Sequence, residues 1–224
     1  MLEALQSFPG SGPPRRGAEG MWIWKSCAED ADLTVLSAED AARVTRLLSP
    51  EKRGLLAASL TGRRHLLSQL LGCEAGNLRI SHNDEGRPSL PDFPDVTISL
   101  SDSEGWNALA LTRTGPVGID LECVRPVSWE PMLSMMADAD EARAIRAAMG
   151  DDAGQDAFFR CWTAKEAILK AAGTGLKGGA RRIRLPGEYI SGEAEQFALE
   201  HDRLSLTVET HRAGPLILSR ALAA

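Results

Sequence analysis

The chain has 224 residues, 43% of them hydrophobic and 25% charged, which is enough for one large soluble domain or two small ones. A net charge of −6 argues against a general nucleic-acid-binding protein, because the binding surface of such a protein is basic. No apolar run approaches the length of a membrane span and the N-terminus lacks the apolar segment of a secretory signal, so we expect a cytoplasmic protein that is not attached to a membrane.

The first part of the chain predicts a tail, one strand and two helices. Residues 1–20 are rich in Pro, Gly and Ser and are expected to be a flexible tail. A strand is predicted at 21–27, a helix after the N-cap Ser37, and a second helix after Ser49-Pro50-Glu51. Residues 43–64 hold six basic residues against one acid, which indicates either a solvated helix face or an anion site.

The remaining elements predict an α+β fold. Strands are predicted at 77–81, 96–101, 106–111 and 117–122, with the last three forming an antiparallel meander. Helices follow at 138–149 and 156–172, and strands return at 181–185, 204–209 and 216–221. This order indicates two successive units of similar layout, although no letter-by-letter repeat is present.

The strand at 117–122 carries two carboxylates on one face. Because successive side chains of a strand alternate, its apolar residues share one face, and Asp120 and Glu122 lie about 6.6 Å apart on the other. Such a pair repels by roughly 2.5 kcal/mol at an effective dielectric of about 20. The strand therefore requires a cationic partner for the two acids.

A helix at 158–172 offers candidates for that partner. Glu166 and Lys170 lie one turn apart beside Trp162, and Lys165 falls near the middle of the apolar stripe. In isolation, Glu166 and Lys170 would be an ordinary i, i+4 ion pair, and Lys165 would extend its ammonium to water. Alternatively, Glu166 adds a third carboxylate to the two on the strand, and the lysines face an anionic substrate. Three oxygen ligands suit Mg²⁺, which often binds substrate phosphates.

Together, these motifs resemble those of the Sfp-type 4'-phosphopantetheinyl transferases. The resemblance is carried by Gly118-Ile119-Asp120-Leu121-Glu122 and by Trp162-Thr163-Ala164-Lys165-Glu166-Ala167 followed by Lys170, and upstream by Ser49-Pro50-Glu51-Lys52-Arg53, Gly86-Arg87-Pro88 and Ser99-Leu100-Ser101. It implies a pseudo-twofold monomer of two similar α/β halves, 21–117 and 118–224, with coenzyme A bound in the cleft between them.

The resemblance also implies a reaction and a role for each matching residue. Phosphopantetheine would move from coenzyme A to a serine of an acyl or peptidyl carrier protein, releasing adenosine 3',5'-bisphosphate. Asp120, Glu122 and Glu166 would hold Mg²⁺, with Glu166 also the general base and Lys170 on the pyrophosphate. Further coenzyme A contacts would come from Arg53, Arg64, Arg87, Ser101, Asp102 and Lys165. Phosphoryl transfer requires a metal, cations and one base of this kind.

Ser101-Asp102-Ser103 departs from the family pattern, which usually has a histidine in the place of Asp102, in contact with a coenzyme A phosphate. An acid would repel that phosphate. Asp102 either turns away while Ser101, Ser103 and arginines hold the phosphate, or it weakens coenzyme A binding or relaxes the demand for the 3'-phosphate. A third alternative is a catalytically silent homologue that binds coenzyme A or a carrier protein. A fourth is a Mg²⁺-dependent phosphohydrolase built on the same acids.

Overall fold

A computed structural model describes residues 16–150, 155–175 and 179–223. In these ranges the chain forms the predicted mixed α+β structure, with six helices and nine strands. The helices are α1 (Ala38–Thr45), α2 (Pro50–Leu71), α3 (Trp129–Met136), α4 (Ala139–Met149), α5 (Asp156–Ala172) and α6 (Gly187–Ser191). The strands are β1 (Gly20–Lys25), β2 (Ser81–His82), β3 (Pro88–Ser89), β4 (Thr97–Ser103), β5 (Trp106–Thr112), β6 (Val117–Cys123), β7 (Gln196–His201), β8 (Leu204–Ala213) and β9 (Leu216–Ala223).

Two antiparallel sheets divide the chain into an N-terminal and a C-terminal half. The N-terminal sheet has the order β1-β5-β4 and the C-terminal sheet the order β6-β9-β8-β7. The predicted three-stranded meander is therefore wrong at its last strand: β4 pairs with β5, whereas β6 pairs with β9. The pairing of β6 with β9 runs the whole length of β6, from Val117 opposite Leu222 to Cys123 opposite Leu216. A pairing so distant in sequence leaves no local turn signal.

Each sheet packs a long helix against one face. The N-terminal core joins α2 to its sheet through Trp22, Leu66, Leu67, Leu70 and Leu109, among others. The C-terminal core joins α5 to its sheet through Phe158, Ile168, Leu169, Val208 and Ala221, among others. A third core, which includes Met21, Ile23, Ile119, Leu121 and Leu218, lies between the two sheets. Burial on both faces of the sheets therefore fixes how the two halves sit against each other.

Some predicted strands are replaced by turns. The segment predicted as a strand at 181–185 is a 3-10 turn at Ala180–Arg182 followed by α6, and most of the segment predicted at 77–81 lies in and after a 3-10 turn at Ala75–Asn77. In both places, backbone carbonyls accept bonds from a buried cation instead of a neighbouring strand. β7 was not predicted.

The N-terminal tail joins the fold earlier than predicted. Gly17 N–H donates to the Leu70 carbonyl, and the Glu19 carboxylate accepts from Thr112 and from the Arg113 backbone. Residues 1–15 of the predicted tail lie outside the described residues. No helix in the described ranges combines the length and hydropathy needed to cross a membrane.

Candidate functional site

The main cleft lies where β4 and the turn before β3 meet α5, and its lining comes from both halves. Its wall on the N-terminal side includes Gly86, Arg87 and Leu100, and its wall on the C-terminal side includes Glu166 and Lys170. Glu166 and Lys170, predicted from the helix motif, therefore share a cavity with the predicted Gly86-Arg87-Pro88 turn.

Gly118 explains how β6 comes so close to α5. A Cβ atom at this position would lie 1.9 Å from the Ala167 carbonyl oxygen and 2.5 Å from the Ala171 nitrogen. Real Cβ contacts are never that short, so only glycine allows this approach. Because side chains alternate along the strand, Asp120 follows Gly118 on the same face and is carried towards α5.

Asp120 is a buried carboxylate with one partnered and one unpartnered oxygen. The residue is 6% exposed. Its Oδ1 accepts from Lys170 Nζ at 2.8 Å and from Ser101 Oγ at 2.9 Å. Its Oδ2 is buried and has no hydrogen-bond partner among the described residues. A buried carboxylate oxygen without a donor is costly, which makes it a candidate ligand for a cation.

Lys170 connects the two halves at the floor of the main cleft. Besides Asp120, its Nζ donates to the Leu100 carbonyl of β4 at 3.2 Å and to the Ile119 carbonyl of β6 at 3.0 Å. The lysine thus supplies the cation that the acidic face of β6 requires. Its side chain is 29% exposed and lines the main cleft.

Glu122 is held at the edge of the site by two donors. Its Oε2 accepts from Ser103 Oγ at 2.7 Å and from Arg125 Nη1 at 3.0 Å. The same guanidinium lies 3.4 Å from a Glu104 carboxylate oxygen through its Nε. Glu122 is therefore partnered in the structure, in contrast to Asp120 Oδ2.

Glu166 has the perturbed titration expected of an acid–base group. Burial, together with the nearby charges of Asp120 and Glu122, raises the pKa of its carboxyl to about 7, and Lys170 opposes this rise. The same three carboxylates are the predicted metal ligands. Their donor chemistry fits Mg²⁺, which prefers oxygen. Within the described ranges, however, no three acidic, histidine or cysteine side chains converge closely enough to hold a metal ion.

A basic pocket adjoins the main cleft and shares Gly86, Pro88 and Leu100 with it. We define this basic pocket by Glu39, Arg43, Arg63 and His82. Arg63 is 9% exposed, and its buried Nε has no partner among the described residues. Burial and the neighbouring charge of Arg43 lower the pKa of Arg63 to about 10. Such a cationic group, buried and incompletely bonded, is suited to an anion.

The basic pocket corresponds to the anion-site alternative for residues 43–64. The resemblance implied Arg53 and Arg64 as coenzyme A contacts, whereas Arg63 was predicted only as one of the six basic residues of that stretch. Arg53 is exposed and donates to the Leu48 carbonyl at 3.2 Å. Asp102, which replaces the family histidine, is exposed on β4 and close enough to Arg63 to favour its charged form.

Two predicted coenzyme A contacts belong to the interior of the protein. Arg64 is 2% exposed, and its guanidinium bonds to Asp40 and to two backbone carbonyls. Lys165 is 1% exposed, and its Nζ donates to Glu141 and to the carbonyls of Met136, Ala180 and Ile183. Both side chains are buried and bonded to groups of the protein, so their environment does not support contact with a ligand. The expectation for Arg64 and Lys165 is corrected accordingly.

Arg87 and Ser101, in contrast, lie at the cleft. The Arg87 guanidinium is 2.7 Å from the point where a Cβ atom would stand on Gly173, just after α5. The Ser101 hydroxyl bonds to Asp120, as described above. Both residues therefore lie where the resemblance implies contacts with coenzyme A.

Comparison with known proteins adds an independent observation. Residues 116–216 match the model of the 4'-phosphopantetheinyl transferase superfamily. The chain is 34% identical over 144 residues to the 4'-phosphopantetheinyl transferase HetI of Nostoc sp., an alignment that covers 63% of this chain and 61% of HetI. It is 29% identical over 155 residues to 4'-phosphopantetheinyl transferase Sfp of Bacillus subtilis (63% and 67% covered). It is 28% identical over 165 residues to 4'-phosphopantetheinyl transferase AcpT of Salmonella typhimurium (73% and 82% covered). The chain thus spans less than two thirds of the length of HetI.

Proposed function

We propose that the chain is a 4'-phosphopantetheinyl transferase, on the basis of the family match over residues 116–216, and that it moves phosphopantetheine from coenzyme A to a serine of an acyl or peptidyl carrier protein. The second product is adenosine 3',5'-bisphosphate. The observation that carries this proposal is that Glu166 and Lys170 line a cleft between the two halves and that the buried Asp120 bonds to Lys170 directly beneath them. Both walls of the cleft come from one chain, which supports a monomer as the active form.

Lys170 and the basic groups beside it are proposed to bind the phosphates of coenzyme A. Lys170 and Arg87 line the main cleft, where a pyrophosphate would meet two cations. Arg43 and Arg63 line the adjoining basic pocket, which suits a further phosphate of the same ligand. Arginine and lysine are the side chains that hold phosphate oxygens in this way.

Asp120, Glu122 and Glu166 are proposed to hold Mg²⁺. When bound, the metal would supply positive charge to the pyrophosphate, whose P–O bond breaks when adenosine 3',5'-bisphosphate is released. Support comes from the oxygen-only donor set and from the buried, unpartnered Oδ2 of Asp120. In the structure Lys170 and Arg125 balance part of the same negative charge.

Glu166 is proposed as the general base that takes the proton of the carrier serine. A base works best when its pKa lies near the working pH, and burial raises the pKa of Glu166 to about 7. Its neighbour Lys170 favours the ionised form, so the carboxylate is available at neutral pH. Phosphoryl transfer depends mainly on positioning and charge stabilisation, and one base placed at the attacking hydroxyl completes the site.

The proposal is tested by incubating the chain with an apo-carrier protein, coenzyme A and Mg²⁺ and measuring the intact mass of the carrier. Transfer adds one phosphopantetheine group and releases one bisphosphate per carrier. Bisphosphate released without an adduct would identify a phosphohydrolase. Coenzyme A binding without either product, measured by calorimetry, would identify a silent homologue. A carrier whose target serine is replaced by alanine is the matched control.

A further inference from the structure

The two halves meet along a row of serine hydroxyls. β4 and β6 are edge strands of their own sheets, and they lie side by side without a backbone ladder between them in the described structure. Instead, three serines on one face of β4 accept hydrogen bonds from alternate backbone N–H groups of β6. We call this row the serine seam. Its bonds run from Ile119 N to Ser99 Oγ (3.0 Å), from Leu121 N to Ser101 Oγ (3.2 Å) and from Cys123 N to Ser103 Oγ (3.2 Å).

Two of the three hydroxyls also donate to the carboxylates of the site. Ser101 Oγ donates to Asp120 Oδ1 at 2.9 Å, and Ser103 Oγ donates to Glu122 Oε2 at 2.7 Å. A hydroxyl has one donor and two acceptor sites, so each of these serines can make both bonds at once. Ser99, in the same seam, contacts neither carboxylate. The S-x-S-x-S spacing of β4 therefore matches the D-x-E spacing of β6.

We propose that Ser101 and Ser103 are positioning residues that fix the two β6 carboxylates for the metal and, through them, for the transfer reaction. The inference rests on the proposed function and goes beyond it. It is based on the two distinct bonds of each serine: the accepted bond sets the register between the halves, and the donated bond sets the rotamer of a carboxylate. Bonds to an ionised acceptor are the shorter and stronger ones, so they hold the side chain in one direction.

Glu122 depends most on this arrangement. Without Ser103, its remaining partner is Arg125, which also faces Glu104. The carboxylate would then follow the guanidinium towards solvent. Asp120 would keep Lys170 after loss of Ser101, so we expect the smaller effect there.

The test compares Ser99→Ala, Ser101→Ala and Ser103→Ala in the full chain. Each variant loses one bond of the serine seam, so denaturant unfolding should show a loss of stability in all three, and a larger one in Ser101→Ala and Ser103→Ala, which also lose the bond to a carboxylate. Binding of Mn²⁺, followed by the electron paramagnetic resonance of the free ion with coenzyme A present, should weaken about 10- to 100-fold in Ser103→Ala and less in Ser101→Ala, because groups that orient metal ligands have effects of this size. Ser99→Ala should bind Mn²⁺ like the unaltered chain. Ser103→Thr keeps the hydroxyl and should restore most of the binding.

The outcomes separate the two proposals. Equal Mn²⁺ affinity in all the variants and in the unaltered chain would overturn the positioning role and leave the serine seam as a purely structural contact. Weakening in Ser99→Ala as strong as in Ser103→Ala would overturn it as well, because general loosening of the halves would then be the cause. Failure of the unaltered chain both to bind Mn²⁺ and to modify an apo-carrier would instead reject the proposed function.

Discussion

Arg64 and Lys165 occupy equivalent positions in the two halves. Each cation lies on the long helix of its half and pairs with an acid 24 residues earlier, Asp40 or Glu141, in the first turn of the preceding helix. Each also donates to the first and last carbonyls around a 3-10 turn that follows the long helix. Each half therefore contains the same arrangement of a buried cation, an acid and a 3-10 turn, although their sequences differ. This arrangement supports the similar layout inferred from the order of the elements.

The two lysines of α5 should respond to substitution in opposite ways. Lys165→Met leaves Glu141 as a buried, uncompensated charge and should lower the free energy of unfolding by about 3–5 kcal/mol. Lys170→Met removes the cationic partner of Asp120, but the lysine side chain is 29% exposed and Ser101 still donates to that carboxylate, so the loss of stability should be smaller. Its transfer rate should fall by about 100-fold, as loss of a charge-stabilising donor does. Urea unfolding and carrier modification measured on both variants check this contrast. Equal losses of stability would contradict the assignment of Lys165 to the interior.

Gly118→Ala should separate β6 from α5. The added methyl group meets the backbone of Ala167 and Ala171, which has no flexible end that could move away. We expect a loss of stability of about 1–3 kcal/mol from overpacking. We also expect a larger loss of transfer activity, because Asp120 moves with the strand. Gly214→Ala, in a turn with open space around the added Cβ, is the comparison variant; its φ of 57° adds only local strain. Similar activity in both variants would show that the close approach is not needed for the site.

Glu166→Gln should abolish transfer activity and raise the free energy of unfolding at pH 8. Below pH 4.5 the carboxyl is protonated in both the folded and the unfolded chain; between pH 4.5 and about 7 only the folded chain keeps the proton. The free energy of unfolding therefore falls as the pH rises through this window. The glutamine variant lacks this fall and should be more stable at pH 8 by on the order of 1–2 kcal/mol, while its transfer activity is abolished.

The measurement is urea unfolding in EDTA at several pH values, alongside the carrier assay. Glu188→Gln, an exposed carboxyl change on α6, is the control and should retain both the activity and the pH slope of the unaltered chain. Full activity of Glu166→Gln would reject Glu166 as the base. An unchanged pH slope would reject its raised pKa.

Asp102→His should tighten the binding of coenzyme A. The carboxylate is exposed on β4 near Arg63, so it offers a negative charge beside the basic pocket. A histidine removes that charge and adds a donor, and we expect the KM for coenzyme A to fall about 3- to 10-fold. The KM for dephospho-coenzyme A should fall less if the 3'-phosphate lies there. Unchanged KM values for both substrates would place Asp102 outside the binding site.

Sequence reasoning located the acidic strand and the α5 motif because both depend on local periodicity. Alternation placed Asp120 and Glu122 on one face, and the i, i+4 spacing placed Glu166 and Lys170 together; the structure brings Asp120 and Lys170 into contact. The pairing of β6 with β9 could not be read in this way, since its residues lie far apart in the chain.

The sequence could not predict which basic residues face the basic pocket and which are buried. Arg63 and Arg64 are adjacent, so a rotation of about 100° along the helix decides which of them faces the basic pocket and which faces the core. That rotation depends on which face of α2 packs on the sheet. Lys165 posed the same difficulty: its acid partner, Glu141, lies on another helix, and the sequence gives no sign that the two meet.

The serine seam also affects what would happen if the two halves were separated. Exposed strand edges recruit other strands, and natural proteins blunt them. Here the edge of one half is blunted by the hydroxyls of the other, so a cut between β5 and β6 would release two fragments, each with an open edge. The contact that orients the acids thus also protects both strand edges from aggregation, so we expect the two halves to be stable only as one chain.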